Sequence, residues 1–341
     1  MPRFPAPLVN LAKFALPVAI IGFLLWQIDE EHWQKIAAQD KNYSLIAAAV
    51  AVAVGAMSLA FIRWCVLVRA QSIQLSMVEA FRLGAIGFLL SFVSAGSVGG
   101  DVFKAAFLAR RRPGRRVAAV ASVLVDRGCG LYGLLLLVAG GLACVNVDDF
   151  ETGDTGINLQ SIRLATWTLI GLGTAVLAAL ILGGRGVDRA ITRLQTVPYL
   201  GAVVERIGPP LRSFHDHPGH FALAVLLSLG VQGSLVISML LIARGLYTDA
   251  PTMAEHFVIV PIGMLISALP VSPAGVGVLE LAIESMYQVF LPAAAAASGT
   301  LVALVFEMVK LIVAGIGVAF YWTAPAEVTD AMEAPVPAPA P

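Results

Sequence analysis

Charge is what this sequence has least of. Asp, Glu, Lys and Arg make up 13% of its 341 residues, about half the ~25% of an ordinary soluble domain. The few charges balance to a net of zero, so no bulk basicity draws the chain to nucleic acid. Cysteine is scarce too. Cys65, Cys129 and Cys144 are odd in number, lack metal-ligand spacing and lie in or beside apolar runs. They read as small packing residues, not as a disulfide framework or a metal centre. There is no Gly-x-Ser-x-Gly elbow, no glycine loop ending in Lys-Ser/Thr and no zinc-protease helix motif. That removes the hydrolases, nucleotide enzymes and metalloproteases built on them. No cofactor and no metal is expected, and the chain is not expected to be an enzyme.

What fills the space is apolar: 58% of residues are hydrophobic and the mean hydropathy is +0.85. Crossing roughly 30 Å of hydrocarbon takes about 20 apolar residues. Six runs qualify, at 10–28, 43–62, 117–145, 163–183, 219–242 and 300–322. The expected fold is an all-α polytopic membrane protein, one integral domain over 1–324, with a disordered Pro/Ala tail at 325–341.

Lys and Arg favour the cytoplasmic side, and the loops alternate accordingly. Arg3 and Lys13 place the N-terminus inside, and Asp29-Glu30-Glu31 follows the first run with no small-residue cleavage site, as in a retained anchor. Arg63 and Arg69 read as the inside end of the second span. Asp148, Asp149, Glu151 and Asp154 lie outside, and Arg185 to Arg212 inside. Within that last stretch, Val187, Ala190, Ile191 and Leu194 recur at helical spacing away from Arg189 and Arg193, as in an interfacial helix. The final span returns the C-terminus inside, and only Arg244 runs against the bias.

Two further apolar segments, about 83–95 and 257–269, are too short to span. Each ends in a glycine- or proline-rich stretch: Gly96, Ser97, Gly99 and Gly100 in one, Pro270, Ser272, Pro273, Gly275 and Gly277 in the other. Both flanks of the first are on one side, because the basic cluster Arg110 to Arg116 follows it. An offset of 176 aligns the two, 76–108 on 252–284, with ten identities in 33 ungapped positions. Ser76 to Glu79 and Thr252 to Glu255 both fit the helix capping box. Three expected spans separate the copies, and an odd number of crossings inverts one relative to the other. Inverted, interrupted hairpins are a transporter signature, because irregular backbone at membrane depth survives only where protein covers it or a wet cavity meets it. Plain turns on a scaffold repeat are the blander reading.

Seven charged residues sit where they cost most. Asp126 and Arg127 lie inside an apolar run, about 100° apart on a helix, so each needs a partner elsewhere. Asp126 is expected to pair with Lys104 or a neighbour of Arg127, and Arg127 to grip a phosphate or lock the hairpin to its helix. Glu307 and Lys310 share a face at i, i+3, as a self-contained bridge or a path lining. Glu280 occupies the repeat position of Lys104, with Asp101 close by. Asp101, Asp126 and Glu280 are also the acids that an intramembrane lipid-modifying enzyme would use. His215, His217 and His220 with Asp216 read as a solvated loop ahead of a metal site.

Several segments together carry a family resemblance: Arg63 to Gln71; Glu79-Ala80-Phe81-Arg82; Gly96 to Asp101 with Lys104; Ser122 to Arg127 with Gly130-Leu131; and Pro270 to Gly277 with Glu280. Over about Leu11 to Trp322 the chain resembles the flippase-like family named for the transmembrane region of lysylphosphatidylglycerol synthase. The resemblance implies a lipid flippase module of the bacterial inner membrane, with membrane lipids and a lipid-synthesis enzyme as partners. No counterpart of the aminoacyl-transfer domain of the bifunctional synthases is expected, so synthesis is not implied. A non-transporting partner of a lipid-synthesis complex is the alternative.

Overall fold

Hydrocarbon offers the backbone no hydrogen-bond partner, so an apolar run inserted in it closes its own bonds as a helix. The computed structural model describes residues 40–93, 98–111, 114–146, 158–182, 217–269, 275–291 and 297–322, with Gln34 and Ala295. The elements among these residues are α-helices: α1 Tyr43–Ala70, α2 Met77–Val93, α3 Gly99–Arg111, α4 Arg116–Cys144, α5 Leu159–Leu182, α6 Pro218–Leu246, α7 Met253–Ser267, α8 Val278–Phe290 and α9 Gly299–Trp322. Five of them, α1, α4, α5, α6 and α9, are long and apolar enough to cross a membrane. They coincide with five of the six expected runs. The sixth run at 10–28, the interfacial segment at 187–194 and the tail at 325–341 lie outside the described residues.

Two helices overshoot their expected ends, with consequences for charge. The second span does not stop at residue 62. Trp64 to Val68 carry α1 on to Ala70, and Arg63 is buried within it instead of marking a loop. Likewise α6 runs to Leu246, which puts Arg244 in its last turn, where a cation suits the helix dipole.

Each short segment is a helical hairpin, α2 on α3 and α7 on α8. Both predicted capping boxes are present. The Ser76 N–H donates to Glu79 Oε2 at 2.9 Å and the Glu79 N–H to Ser76 Oγ at 3.2 Å. The Thr252 N–H donates to Glu255 Oε2 at 2.6 Å and the Glu255 N–H to Thr252 Oγ1 at 3.3 Å. The arms are then clipped by residues at the same repeat position, Arg111 and Tyr287. Arg111 pairs with Glu79. Tyr287 meets His256, whose Nδ1–H donates to the Thr252 carbonyl at 3.0 Å. That leaves Nε2 to accept from the Tyr287 hydroxyl at 3.1 Å. One expectation changes. Gly99 and Gly100 are not loop residues but begin α3, where the Val98 carbonyl accepts from the Asp101 and Val102 N–H groups. Gly275 and Gly277 do form a turn, at φ of 80° and 86°. Gly96, Ser97, Pro270, Ser272 and Pro273 fall outside the described residues.

The repeat is larger than the hairpins. The same offset of 176 carries Tyr43–Ala70 onto 219–246, within one residue of Pro218–Leu246. Helices α1 to α4 therefore correspond to α6 to α9. The equivalent helices α1 and α6 run antiparallel along their length. The Asn42 N–H donates to the Gly245 carbonyl at 2.8 Å, Ser238 Oγ to the Ala49 carbonyl at 2.9 Å and Arg63 Nη1 to Ser228 Oγ at 3.0 Å. The copies are thus inverted with respect to each other. Every substantial packing among the described helices has its counterpart under this exchange, save that of α5 on α4. Helix α5 leaves Leu164, Trp167 and Leu172 exposed, as a lipid-facing helix does.

Each broken hairpin is covered by a long helix of the other copy, α2 by α9 and α7 by α4. The approach is close enough to need glycine at equivalent positions. A methyl on Gly141 would lie 2.7 Å from the Phe257 carbonyl, and one on Gly317 would lie 2.4 Å from the Ala85 carbonyl oxygen. Backbone is what blocks the methyl, so relief requires helices to move. Gly317→Ala is expected to cost ~1–3 kcal/mol, read as a lower unfolding temperature in detergent. Gly315→Ala, whose methyl meets nothing within 4 Å, is expected to be neutral or slightly stabilising.

Candidate functional site

The two hairpins meet at a cavity of about 280 Å³, walled by α1 to α4 of one copy and by α6 and α7 of the other. Ser91 and Ser267, equivalent residues at the ends of α2 and α7, both line it. So do Gly87 and Gly100, where a methyl on Gly100 would lie 1.9 Å from the Gly87 carbonyl oxygen. Helix α3 thus starts directly against α2 and presents its N-terminal turn to the cavity.

Four of the seven charged residues singled out from the sequence line this space: Asp101, Lys104, Asp126 and Arg127. Their pairing differs from the expected one. Asp126 binds neither Lys104 nor a group beside Arg127. It is held in a fork by Arg63 of α1, with Nε to Oδ1 at 2.7 Å and Nη2 to Oδ2 at 3.1 Å. Both residues are nearly excluded from solvent, at 7% and 8% exposure. The third guanidinium nitrogen, Nη1, donates to Ser228 of α6. A buried carboxylate is tolerable only with such full compensation, and this one ties α1, α4 and α6 together. Arg127 pairs with Asp101 of α3, an ion pair that joins the hairpin to α4. Asp101 also faces Lys104 at 3.7 Å, and Lys104 lies over the Trp64 ring at 5.3 Å.

Three cations against two carboxylates leave this cavity one net positive charge. Arg127 is its most accessible cation, with 45% of its side chain exposed. On the same helix face Leu124 and Leu131 are exposed at 62% and 40%. An arginine between exposed leucines on a membrane helix can be reached from the lipid side while its partner Asp101 stays within.

Glu280, Glu307 and Lys310 do not line this cavity. Lys310 Nζ lies 2.6 Å from Glu307 Oε1, the expected i, i+3 bridge, and sits over the Phe92 and Phe306 rings at 5.9 and 5.7 Å. Glu280 accepts the Gly277 N–H at 2.7 Å. The expected residues therefore form two groups, one per copy. Of the histidines, His217 and His220 meet edge to face at 5.5 Å, while His215 and Asp216 lie outside the described residues. Among the described residues no group of three ligand side chains is placed to hold a metal ion. Cys65 and Cys129 are buried packing residues, but Cys144 is exposed.

Sequence reasoning missed Arg63 as a site residue, along with its partner Ser228 and with Gln232 of α6, which lines the cavity. The signal for Arg63 was the apolar stretch Trp64 to Val68 beyond it, which keeps Arg63 within a span as surely as Asp126. Removing either member of the fork strands a buried charge. Arg63→Ala and Asp126→Ala are each expected to cost ~3–5 kcal/mol in thermal unfolding. The double variant Arg63→Met/Asp126→Leu is expected to recover most of that loss. Losses that simply add would contradict the coupling.

Residues 10–317 match the family described as the lysylphosphatidylglycerol synthase TM region. The chain is also similar to a protein of Haloferax volcanii named glycosyltransferase AglD, at 26% identity over 87% of this chain and 51% of the relative. It thus spans about half the length of that relative. No solved structure matches it. With the match running through both copies of the repeat, the chain belongs to the lysylphosphatidylglycerol synthase transmembrane-region family and is a multi-pass membrane protein.

Proposed function

We propose that this protein moves a lipid with an anionic, phosphate-bearing headgroup between membrane leaflets, the headgroup passing through the cavity where the hairpins meet. The observation that carries this reading is the cavity itself. It has one net positive charge, lies between inverted hairpins and is bordered by an arginine reachable from the lipid face. At about 280 Å³ it suits a headgroup and excludes the acyl chains, which stay in the bilayer. A guanidinium grips a phosphate through two parallel bonds. Asp101, already shared with Lys104, keeps a partner when Arg127 turns to the lipid.

The topology that goes with this reading follows the charge bias. The N-terminus and the Arg110 to Arg116 segment are cytoplasmic, six spans cross, and the hairpins enter from opposite faces of a bacterial inner membrane. The chain itself performs no catalysis. Asp126 is fully engaged by Arg63 and has no role as a general acid or base. A second reading draws on the relative named as a glycosyltransferase: the domain anchors and feeds a lipid-synthesis enzyme without moving lipid alone.

Vesicles containing the purified chain and labelled anionic phospholipid separate the two. Leaflet exchange is expected to accelerate over empty vesicles. Arg127→Ala should slow it about tenfold or more, as loss of a charge-assisted bond worth ~1.5–3 kcal/mol implies. Arg127→Lys should slow it less, and neither variant should change the unfolding temperature by more than a few degrees. No acceleration with any lipid, and activity only beside a co-purifying enzyme, would favour the second reading.

A further inference from the structure

Charged side chains are not the whole lining of the cavity. Ser91 of α2, Gln232 of α6 and Ser267 of α7 border it too, the uncharged polar side chains of its wall among the described residues. The two serines have no hydrogen left to give. Ser91 Oγ donates to the Gly87 carbonyl at 3.1 Å, and Ser267 Oγ donates to the Met264 carbonyl at 3.1 Å. A hydroxyl carries one hydrogen, so what each serine offers the cavity is lone pairs. Both hydroxyls sit where their hairpin turns back. A methyl on Gly100 would lie 2.6 Å from Ser91 Oγ, and one on Gly275 would lie 3.5 Å from Ser267 Oγ.

Gln232 adds a third acceptor. Its Nε2 donates to the Gly130 carbonyl at 3.3 Å. A carbonyl only accepts, which fixes the orientation of the amide and leaves Oε1 open to a donor. Asp101 supplies a fourth, because its Oδ1 lies 3.7 Å from Lys104 Nζ, beyond hydrogen-bond reach. Arg63 brings no donor to offset these acceptors, since each of its guanidinium nitrogens already donates to Asp126 or Ser228.

Acceptors do nothing for a phosphodiester, whose oxygens carry lone pairs of their own. Lys104 and Arg127 serve that group. The acceptors suit a further part of the ligand, one with hydrogens to donate. Hydroxyls and ammonium groups both have them, and the charge of the cavity decides between the two. Three cations already stand against two carboxylates here. An ammonium would add a fourth at short range, where like charges cost most, while a hydroxyl brings its hydrogen without charge.

We propose that Gln232, Ser91 and Ser267 select a headgroup whose phosphate carries a hydroxylated substituent, a polyol or a sugar. Lys104 and Arg127 hold the phosphate, and the hydroxyls donate to Gln232 Oε1 and the two serine oxygens. That the occupant is a lipid rests on the transport reading above. The cations come from the first copy of the repeat, while Gln232 and Ser267 come from the second, so the headgroup bridges the two. A headgroup with no hydroxyl strips water from these acceptors and returns no bond. A polar site rejects a ligand that lacks its donor in this way.

Native mass spectrometry of the purified full chain in detergent, titrated with single lipids, tests the selection. The probes are phosphatidylglycerol; phosphatidylmethanol, which has the same phosphodiester charge but no hydroxyl; and phosphatidylethanolamine, which adds an ammonium. Phosphatidylglycerol is expected to bind about tenfold more tightly than either of the others, as one or two neutral hydrogen bonds imply. Gln232→Leu should narrow that preference to about threefold or less. Ser267→Ala should narrow it in the same direction, and it decides the matter should Gln232→Leu fail to fold. General damage to the fold weakens all three lipids together, so the preference reports selection and not support. Phosphatidylmethanol bound as tightly as phosphatidylglycerol overturns the proposal, as does phosphatidylethanolamine bound most tightly. A preference that survives in both variants overturns it too, as does no binding of phosphatidylglycerol. Leaflet exchange of the same lipids in vesicles is read separately. Preference without exchange defeats the transport reading and leaves the selection standing; exchange without preference does the reverse.

Discussion

An interrupted helix in hydrocarbon leaves backbone groups that no solvent can serve, and the architecture follows from covering two such interruptions. Neither hairpin shields itself. Helix α9 of the second copy lies over α2, and α4 of the first lies over α7. The reciprocal cover holds the copies together as much as the antiparallel pair α1 and α6 does. Glycine at 141 and 317 permits it, since a side chain at either would meet carbonyl backbone. Because one rule generates both interfaces, the ends of α2 and α7 converge on a shared space, and that space becomes the cavity.

The backbone repeats, but the charge does not. Lys104 becomes Glu280 in the second copy, and no counterpart of the Arg63–Asp126 fork exists, since its positions there hold Met239 and Val302. The first copy carries the net positive cavity and the second an acidic pair with one lysine. An inverted scaffold offers two equivalent positions near its centre. Here the first copy's position suits an anionic headgroup, and the second copy's holds Glu280 where the first has Lys104. The lock on each hairpin varies in the same way, an ion pair at Arg111 and a neutral hydrogen bond at Tyr287.

Much of this was readable in the residues. Apolar length located five helices, and the hydroxyl–carboxylate spacing at Ser76 and Thr252 marked two helix starts. The offset between those starts, extended past the hairpins, pairs Gly141 with Gly317 and sets α1 on α6. What resisted reading was partner choice. That Asp126 meets Arg63 instead of Lys104 depends on how α1 and α4 pack, and neither period nor composition encodes that. Arg63 itself was concealed by its position near the end of a run, where a cation is ordinarily a topology signal. The division of seven charged residues into two groups likewise needed three dimensions, because Glu280 aligns with Lys104 in the repeat yet lies apart from it in the bundle.

For a lipid to cross by this path, its headgroup must occupy the space between the hairpins. Photocrosslinking with a headgroup-reactive anionic lipid, followed by mapping of the labelled residues, tests it most directly. Label is predicted on Leu131 of α4 and on Met264 and Ser267 of α7, which line the cavity from opposite copies, and it should fade in Arg127→Ala. Label confined to the outer face of α5, at Leu164, Trp167 and Leu172, would contradict the claim.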